Sequence, residues 1–114
     1  MPERDDAPTL RRPVFHILLA LAGGDLHGLG IAAEVERATD GAVELGPGTL
    51  YRSLKEMAEA RLIEEVRGRE ADPDPRRKYY RITAEGRARV SVEAERLERI
   101  VDLARERRLL RREV

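Results

Sequence analysis

Pro47-Gly48-Thr49-Leu50-Tyr51-Arg52-Ser53-Leu54-Lys55-Glu56-Met57-Ala58-Glu59-Ala60-Arg61 is the stretch whose reading decides the fold. Proline suits the first turn of a helix, because its missing N–H has no intrahelical partner there. Leu50, Leu54, Met57 and Ala58 then recur at helical spacing and predict one buried stripe. Thr49, Arg52, Ser53 and Glu56 fall off that stripe and are expected to face outward, small or hydrogen-bonding near the helix N-terminus. Arg61 ends the pattern, and Leu62-Ile63 return the chain to the core.

Downstream, two β-prone runs, Leu62 to Val66 and Lys78 to Thr83, flank Gly68 to Arg77. The intervening Asp72-Pro73-Asp74-Pro75 suits neither a helix nor a central strand, so a hairpin with a long tip is expected. Tyr79 and Tyr80 alternate across the returning strand, one inward and one outward, and the sequence leaves open which does which. Upstream, Val14, Ile17, Leu18 and Leu21 predict a first helix from Pro13 to Gly23-Gly24. Ile31, Val35 and Ala38 predict a second from near His27, stopped by Gly41, and residues 42–45 read as a short extended connector. Residues 1–8 are polar, with two prolines, and read as a loose arm.

Thr83 caps a final helix, with Glu85 in its first turn. Val90, Ala94, Leu97, Val101 and Ala104 recur at heptad-like steps, and Ile100 and Leu103 widen the band. From Ala84 to about Arg111 such a helix runs about 40 Å, whereas a globule of this length has a radius of gyration of only about 13 Å. The rod therefore projects, and its seam needs a cover. A second copy of the chain provides one; folding back onto the first helix of the same chain is the other reading, and the two can coexist.

Composition narrows the function. The 114 residues carry 22 Lys+Arg and 22 Asp+Glu, a net charge of zero, so bulk charge does not coat nucleic acid. The charge separates locally: residues 25–44 carry one Arg against five acids, while residues 67–81 carry six basic residues against three acids. In the hairpin the acids Glu70, Asp72 and Asp74 gather at the tip, and Arg76, Arg77, Lys78 and Arg81 line the returning strand. Cysteine is absent, which excludes disulfides, thiolate metal sites and cysteine nucleophiles. No apolar run approaches the roughly 18 residues of a membrane span, and MPERDD lacks the layout of a secretory signal, so a cytoplasmic protein is expected. His16 and His27 lie in different helices, and no phosphate loop or zinc spacing occurs. No catalytic residue, metal site or cofactor is expected.

Three short helices followed by a basic hairpin is the order of a winged helix-turn-helix, here mainly α (α+β), with a two-stranded wing and a long C-terminal helix. In that architecture the third helix enters a DNA major groove and the wing rides the neighbouring backbone. The free N–H groups at the start of the third helix suit a phosphate. A plainer reading makes Arg52 and Lys55 a solvated face paired with Glu56 and Glu59. A rival function is a protein-interaction module, which the acidic second helix and acidic wing tip would suit.

The residues also resemble a known family. Phe15-His16-Ile17-Leu18-Leu19-Ala20-Leu21, His27-Gly28-Leu29-Gly30-Ile31, Leu45-Gly46-Pro47-Gly48-Thr49-Leu50-Tyr51 with Leu54, Leu62-Ile63-Glu64, and Arg77-Lys78-Tyr79-Tyr80-Arg81-Ile82-Thr83-Ala84-Glu85-Gly86 resemble PadR-like transcriptional regulators in order and spacing, from about residue 10 to 105. The resemblance implies a homodimeric winged helix-turn-helix repressor acting on nearby efflux, detoxification or stress genes. A single C-terminal helix resembles the family's shorter group, some of whose members stack planar drugs on an aromatic side chain, often Trp, in that helix. This chain has no Trp, and its last aromatic is Tyr80. Carried over, the resemblance puts Thr49 and Tyr51 at the start of the recognition helix.

The candidate DNA-contacting residues are thus Thr49, Tyr51, Arg52, Ser53 and Lys55 of the third helix, with Arg76, Arg77 and Lys78 of the wing. Arg52 is the candidate for a guanine edge, and Arg77 and Lys78 for phosphates. The dimerisation set is Val90, Ala94, Leu97, Ile100, Val101 and Ala104. Phe15, Leu19, Leu97 and Val101 line either a pocket for a small apolar effector or a filled core. The expected organisation is an arm at 1–8, a DNA-binding domain at 9–83 and a dimerisation helix at 84–114.

Overall fold

The computed structural model of the chain describes residues 8–68 and 71–111. Most of the arm expected at 1–8, and Glu70 at the wing tip, lie outside the described residues. The elements are α1 (Arg12–Leu21), β1 (Leu26–His27), α2 (Gly28–Ala38), α3 (Pro47–Glu59), β2 (Ile63–Val66), β3 (Tyr79–Ile82) and α4 (Ala84–Glu106).

The core forms where apolar stripes of α1, α2 and α3 converge over one sheet face. Val14, Ile17, Leu18 and Leu21 of α1 meet Ile31 and Val35 of α2, and Leu50, Leu54 and Met57 of α3. Leu62, Ile63, Ile82 and Val90 close the cluster from the sheet and α4. Two expectations about individual faces of α3 fail. Ser53, expected outward, is buried, whereas Ala58, expected in the stripe, is exposed. The stripe of α3 is therefore Leu50, Ser53, Leu54 and Met57. A serine is small enough to occupy a close helix–helix approach, so its polarity is no guide to its face. Ala38 of α2 is likewise exposed.

Among the described residues the two-stranded wing, β2 and β3, gains a third antiparallel strand, in the order β1-β3-β2. β2 pairs with β3 from Ile63↔Ile82 to Val66↔Tyr79, as the hairpin reading requires. β1 adds Leu26↔Tyr80 and His27↔Tyr79 on the other edge. A two-residue strand has no periodicity to read, and its pairing is visible only in three dimensions. Tyr80 shares the core side of β3 with Ile82. Tyr79 points to the opposite side, yet is also buried.

Caps explain the starts. Pro13 and Pro47 occupy the first turns of α1 and α3. His27 Nδ1 accepts the Gly30 N–H at 3.1 Å and caps α2. Thr83 Oγ1 accepts the Gly86 N–H at 2.9 Å and caps α4.

The C-terminal ends of α2, α3 and α4 share another device. Asp40, Arg61 and Arg108 adopt φ of 54°, 63° and 60°. The following N–H reaches back to close a Schellman motif, Gly41 to Glu36, Leu62 to Met57 and Leu109 to Ala104, at 2.8–2.9 Å. This closure stops α4 at Glu106, short of the expected Arg111, without a glycine to signal it.

The first turns of α4 belong to the core. Val90, expected in a seam between copies, is buried in its own chain's cluster. Glu93 accepts the Leu10 N–H at 3.4 Å and an Arg96 N–H at the same distance. Beyond this point the helix emerges: Ala94, Leu97, Ile100 and Val101 are exposed and Ala104 is half-buried. The fold-back reading therefore holds for the first turns of the final helix, and the rest of its apolar band is left uncovered by the chain itself. At about 1.5 Å per residue its 23 residues span about 35 Å, and the radius of gyration rises to 15.9 Å.

Candidate nucleic-acid interface

The outer face of α3 is polar and open. Thr49, Arg52, Lys55, Glu56 and Glu59 are all exposed. Glu56 is taken by Arg11, which reaches it from the residue preceding α1. Arg52 and Lys55 have neither an ion pair nor a hydrogen bond among the described residues. The reading in which Arg52 and Lys55 are neutralised by Glu56 and Glu59 therefore does not describe this face. No side chain caps the start of α3, so its first-turn N–H groups stay available to an anion.

Tyr51 is half-exposed and leans over the start of α2. A Cβ on Gly28 would sit 2.6 Å from the Tyr51 hydroxyl oxygen, so the glycine makes room for the ring. Tyr51, Leu29 and Tyr80 share a groove of about 530 Å³ with Arg76, Arg77 and Lys78. The groove joins the start of α3 to the wing. Ser53, buried, takes no part in this surface. Thr49 instead borders a smaller groove, about 250 Å³, with Arg12, Pro13 and Val43.

The four cations of the returning strand are not equivalent. Arg81 makes two hydrogen bonds to the Asp25 carboxylate, at 2.8 and 3.1 Å, which hold its guanidinium still more firmly protonated. Arg77 lies 3.3 Å from Asp72, whose side chain is only 2% exposed. Arg76, at 91% side-chain exposure, is only 3.4 Å from Asp74, and Lys78 is 3.7 Å from Glu65. Exposed pairs of this length contribute little and give way to a stronger anion. Arg76 and Lys78 are thus the displaceable charges of the wing. Burial, then the nearby Glu65 and Tyr51, push the Tyr80 hydroxyl up, so it remains a neutral donor.

Asp72 is the residue that composition hid. Its carboxylate accepts the Tyr79 hydroxyl at 2.6 Å, the Asp74 N–H at 2.8 Å and an Arg77 N–H. The Tyr79 bond, followed by the backbone N–H, holds its carboxyl below the usual aspartate range. An acid in a run of Asp and Pro reads as a solvated tip; only the tyrosine seven residues on could have signalled a partner.

The histidines serve the fold. His27 caps α2 and meets the Tyr79 ring edge-on at 5.3 Å. His16 meets Phe15 edge-on at 5.5 Å, and burial followed by the Arg12 charge lowers its pKa. Among the described residues no group of three or more His, Asp or Glu could hold a metal ion. No described helix is long and apolar enough to cross a membrane. Phe15 is half-buried, and Leu19, Leu97 and Val101 are 48%, 40% and 38% exposed, so each leaves apolar surface open in a single chain.

Comparison with solved structures places this architecture. A PadR family transcription regulator from Clostridium difficile is 26% identical, with a TM-score of 0.71, covering 84% of this chain and 97% of its own. A transcriptional regulator from Clostridium thermocellum is 28% identical, with a TM-score of 0.68, covering 82% and 87%. Bacillus subtilis PadR, solved in complex with operator DNA, shares the fold at 20% identity and a TM-score of 0.61, over 71% of this chain and 45% of that one. No match is found among curated proteins. Residues 17–92, two thirds of the chain, match the PadR-like family of transcriptional regulators, and the chain belongs to that family: it is a winged-helix transcriptional regulator and not an enzyme.

Proposed function

We propose that the chain is a sequence-specific DNA-binding protein that works as a homodimeric repressor. The observation that carries this reading is the open pair Arg52 and Lys55 on the outer face of α3, beside the displaceable Arg76 and Lys78 of the wing. α3 lies in the major groove, with Arg52 on a guanine edge and Thr49, Tyr51 and Lys55 on the flanking backbone. The wing sets Arg76 and Lys78 against phosphates. Acting on chromosomal DNA, the protein works in the cytoplasm.

In this reading residues 9–83 form the head and residues 84–114 carry dimerisation. Val90 serves the head's own core, and Ala94, Leu97, Ile100, Val101 and Ala104 form the seam. Two copies then read half-sites about 34–36 Å apart, and phosphate contacts add across both. The regulated genes are neighbouring efflux, detoxification or stress genes. A small apolar ligand, held near Phe15, Leu19, Leu97 and Val101, releases the repressor by preferring the arrangement of heads that does not fit DNA.

A gel-shift titration at several salt concentrations tests the proposal. Binding should weaken steeply with salt, with a log–log slope of about −0.9 per phosphate neutralised. Arg52→Ala should lose discrimination between sequences, whereas Lys78→Ala should weaken binding to all of them. Equal, small losses from both would refute the division of labour, and salt-insensitive binding would favour a protein partner. Calorimetry with a panel of apolar compounds tests the effector, and heats indistinguishable from dilution would remove it.

A further inference from the structure

Tyr79 is buried on the side of the sheet away from the core. What covers it is the wing loop. A Cβ on Gly68 would lie 2.8 Å from the Tyr79 ring, so the loop passes over the ring at its closest permitted distance. On the ring's other flank stands His27, the cap of α2, paired with Tyr79 in the sheet. At the hydroxyl end, Asp72 receives the Tyr79 bond at 2.6 Å and fixes the next turn by accepting the Asp74 N–H. A continuous chain of contacts therefore runs from the start of α2 through His27, Tyr79 and Asp72 to the wing tip.

We propose that Asp72 is the positioning residue of the wing: anchored by Tyr79, it commits Arg77 to structure and holds Arg76 and Lys78 in the orientation that meets DNA. The inference rests on the DNA-binding reading for its consequence, but not for its geometry. Asp72 itself touches no nucleic acid. It is an acid whose removal weakens binding to a polyanion.

That sign makes the test decisive. Asp72→Asn adds one unit of positive charge to the wing, so long-range electrostatics alone predicts tighter DNA binding. Positioning predicts the reverse: a loss of roughly three- to tenfold, with the salt slope shallower by about 0.9 for each phosphate that the wing no longer reaches. Tyr79→Phe changes no charge and keeps the ring, and should act in the same direction. Both proteins are also digested with trypsin without DNA, after circular dichroism shows native helix content. Cleavage after Arg76, Arg77 and Lys78 should be about tenfold faster than in the unmodified protein, because local opening governs cutting.

Weaker binding with faster cleavage supports the proposal. Equal or tighter binding by Asp72→Asn, or wing cleavage at the unmodified rate in both variants, overturns it. Should the unmodified protein ignore every duplex offered, the DNA reading fails by itself. Cleavage then decides the wing alone, faster cutting supporting the anchor and unchanged cutting ending it.

Discussion

Gly86→Ala, in the first turn of α4, should be the most damaging single-methyl change in the protein. The Cβ would sit 2.2 Å from the Leu62 carbonyl oxygen and 3.0 Å from Ile82 Cγ1. Unstrained carbon–oxygen contacts begin near about 3.3 Å, so the gap must open by about 1 Å. Backbone, not a flexible side-chain tip, has to give. That same oxygen accepts the Thr83 N–H and the Thr83 hydroxyl, each at 3.0 Å. Opening the gap puts both bonds at risk, at about 1 kcal/mol apiece, beside an overpacking cost of about 1–3 kcal/mol.

A loss of about 3 kcal/mol is therefore expected, which for a domain of this size lowers Tm by about 12 °C. Thermal and urea melts, followed by circular dichroism at one fixed protein concentration, measure it. Gly48→Ala supplies the control. Beyond its chain neighbours and its own helix backbone, nothing lies within 4 Å of its Cβ position, and replacing a helical glycine there should stabilise by about 0.5–1 kcal/mol. A Gly86→Ala protein melting within about 3 °C of the unmodified one, less than about 1 kcal/mol at this size, would refute the close-approach argument.

Leu97→Asp tests the seam. Burying an unpaired carboxylate in each copy costs about 3 kcal/mol per site, so dimer affinity should fall by about four orders of magnitude; light scattering that finds it still dimeric would remove this part of α4 from the interface. Arg61→Gly should stabilise the chain by about 1 kcal/mol, because Arg61 holds φ 63° where only glycine sits without penalty, and a urea melt with an unmoved midpoint would contradict this. The Asp72 carboxyl, with its pKa lowered by Tyr79, Asp74 and Arg77, contributes stability to the wing above the ordinary aspartate value of 3.8 and loses it only as pH falls through the depressed folded value. NMR titration of that carboxyl should give a midpoint below 3.8; one at or above it would mean that the Tyr79 bond does not form.

Long, periodic segments were the legible part. Val14, Ile17, Leu18 and Leu21 announce α1, and Leu50, Leu54 and Met57 announce α3, because burial of a stripe requires that spacing. The Asp-Pro tip and the apolar returns on either side announce the hairpin. Three things were not legible, each for a physical reason. β1 has two residues and exists only because Tyr79 and Tyr80 offer it an edge. Ser53 reads as polar, yet it is buried with Leu50, Leu54 and Met57 on the inner side of α3, because a side chain that small is tolerated on either face. The end of α4 closes on Arg108, which carries no helix-stop signal of its own, whereas Gly41 and Arg61 marked the ends of α2 and α3.

The candidate interface was legible in its charges and not in their partners. Arg52, Lys55, Arg76 and Lys78 could be named from position, since solvent-facing cations beside a basic hairpin follow from pattern. That Arg77 and Arg81 are held by Asp72 and Asp25 could not, because ion pairs across 56 residues or around a loop depend on the finished fold.

Because α4 begins inside the core of the head and ends outside it, it behaves as a lever whose fulcrum lies near Val90. In the proposed dimer, tilting one such arm by about 10° over the roughly 24 Å from Val90 to Glu106 would swing the far end by about 4 Å, a little more than one base-pair step along a duplex. Small repacking around the emergent leucines is thereby geared up into a mismatch of phase with the double helix. Control of such a molecule needs no melting of either reading head, only a change in the angle at which they are held.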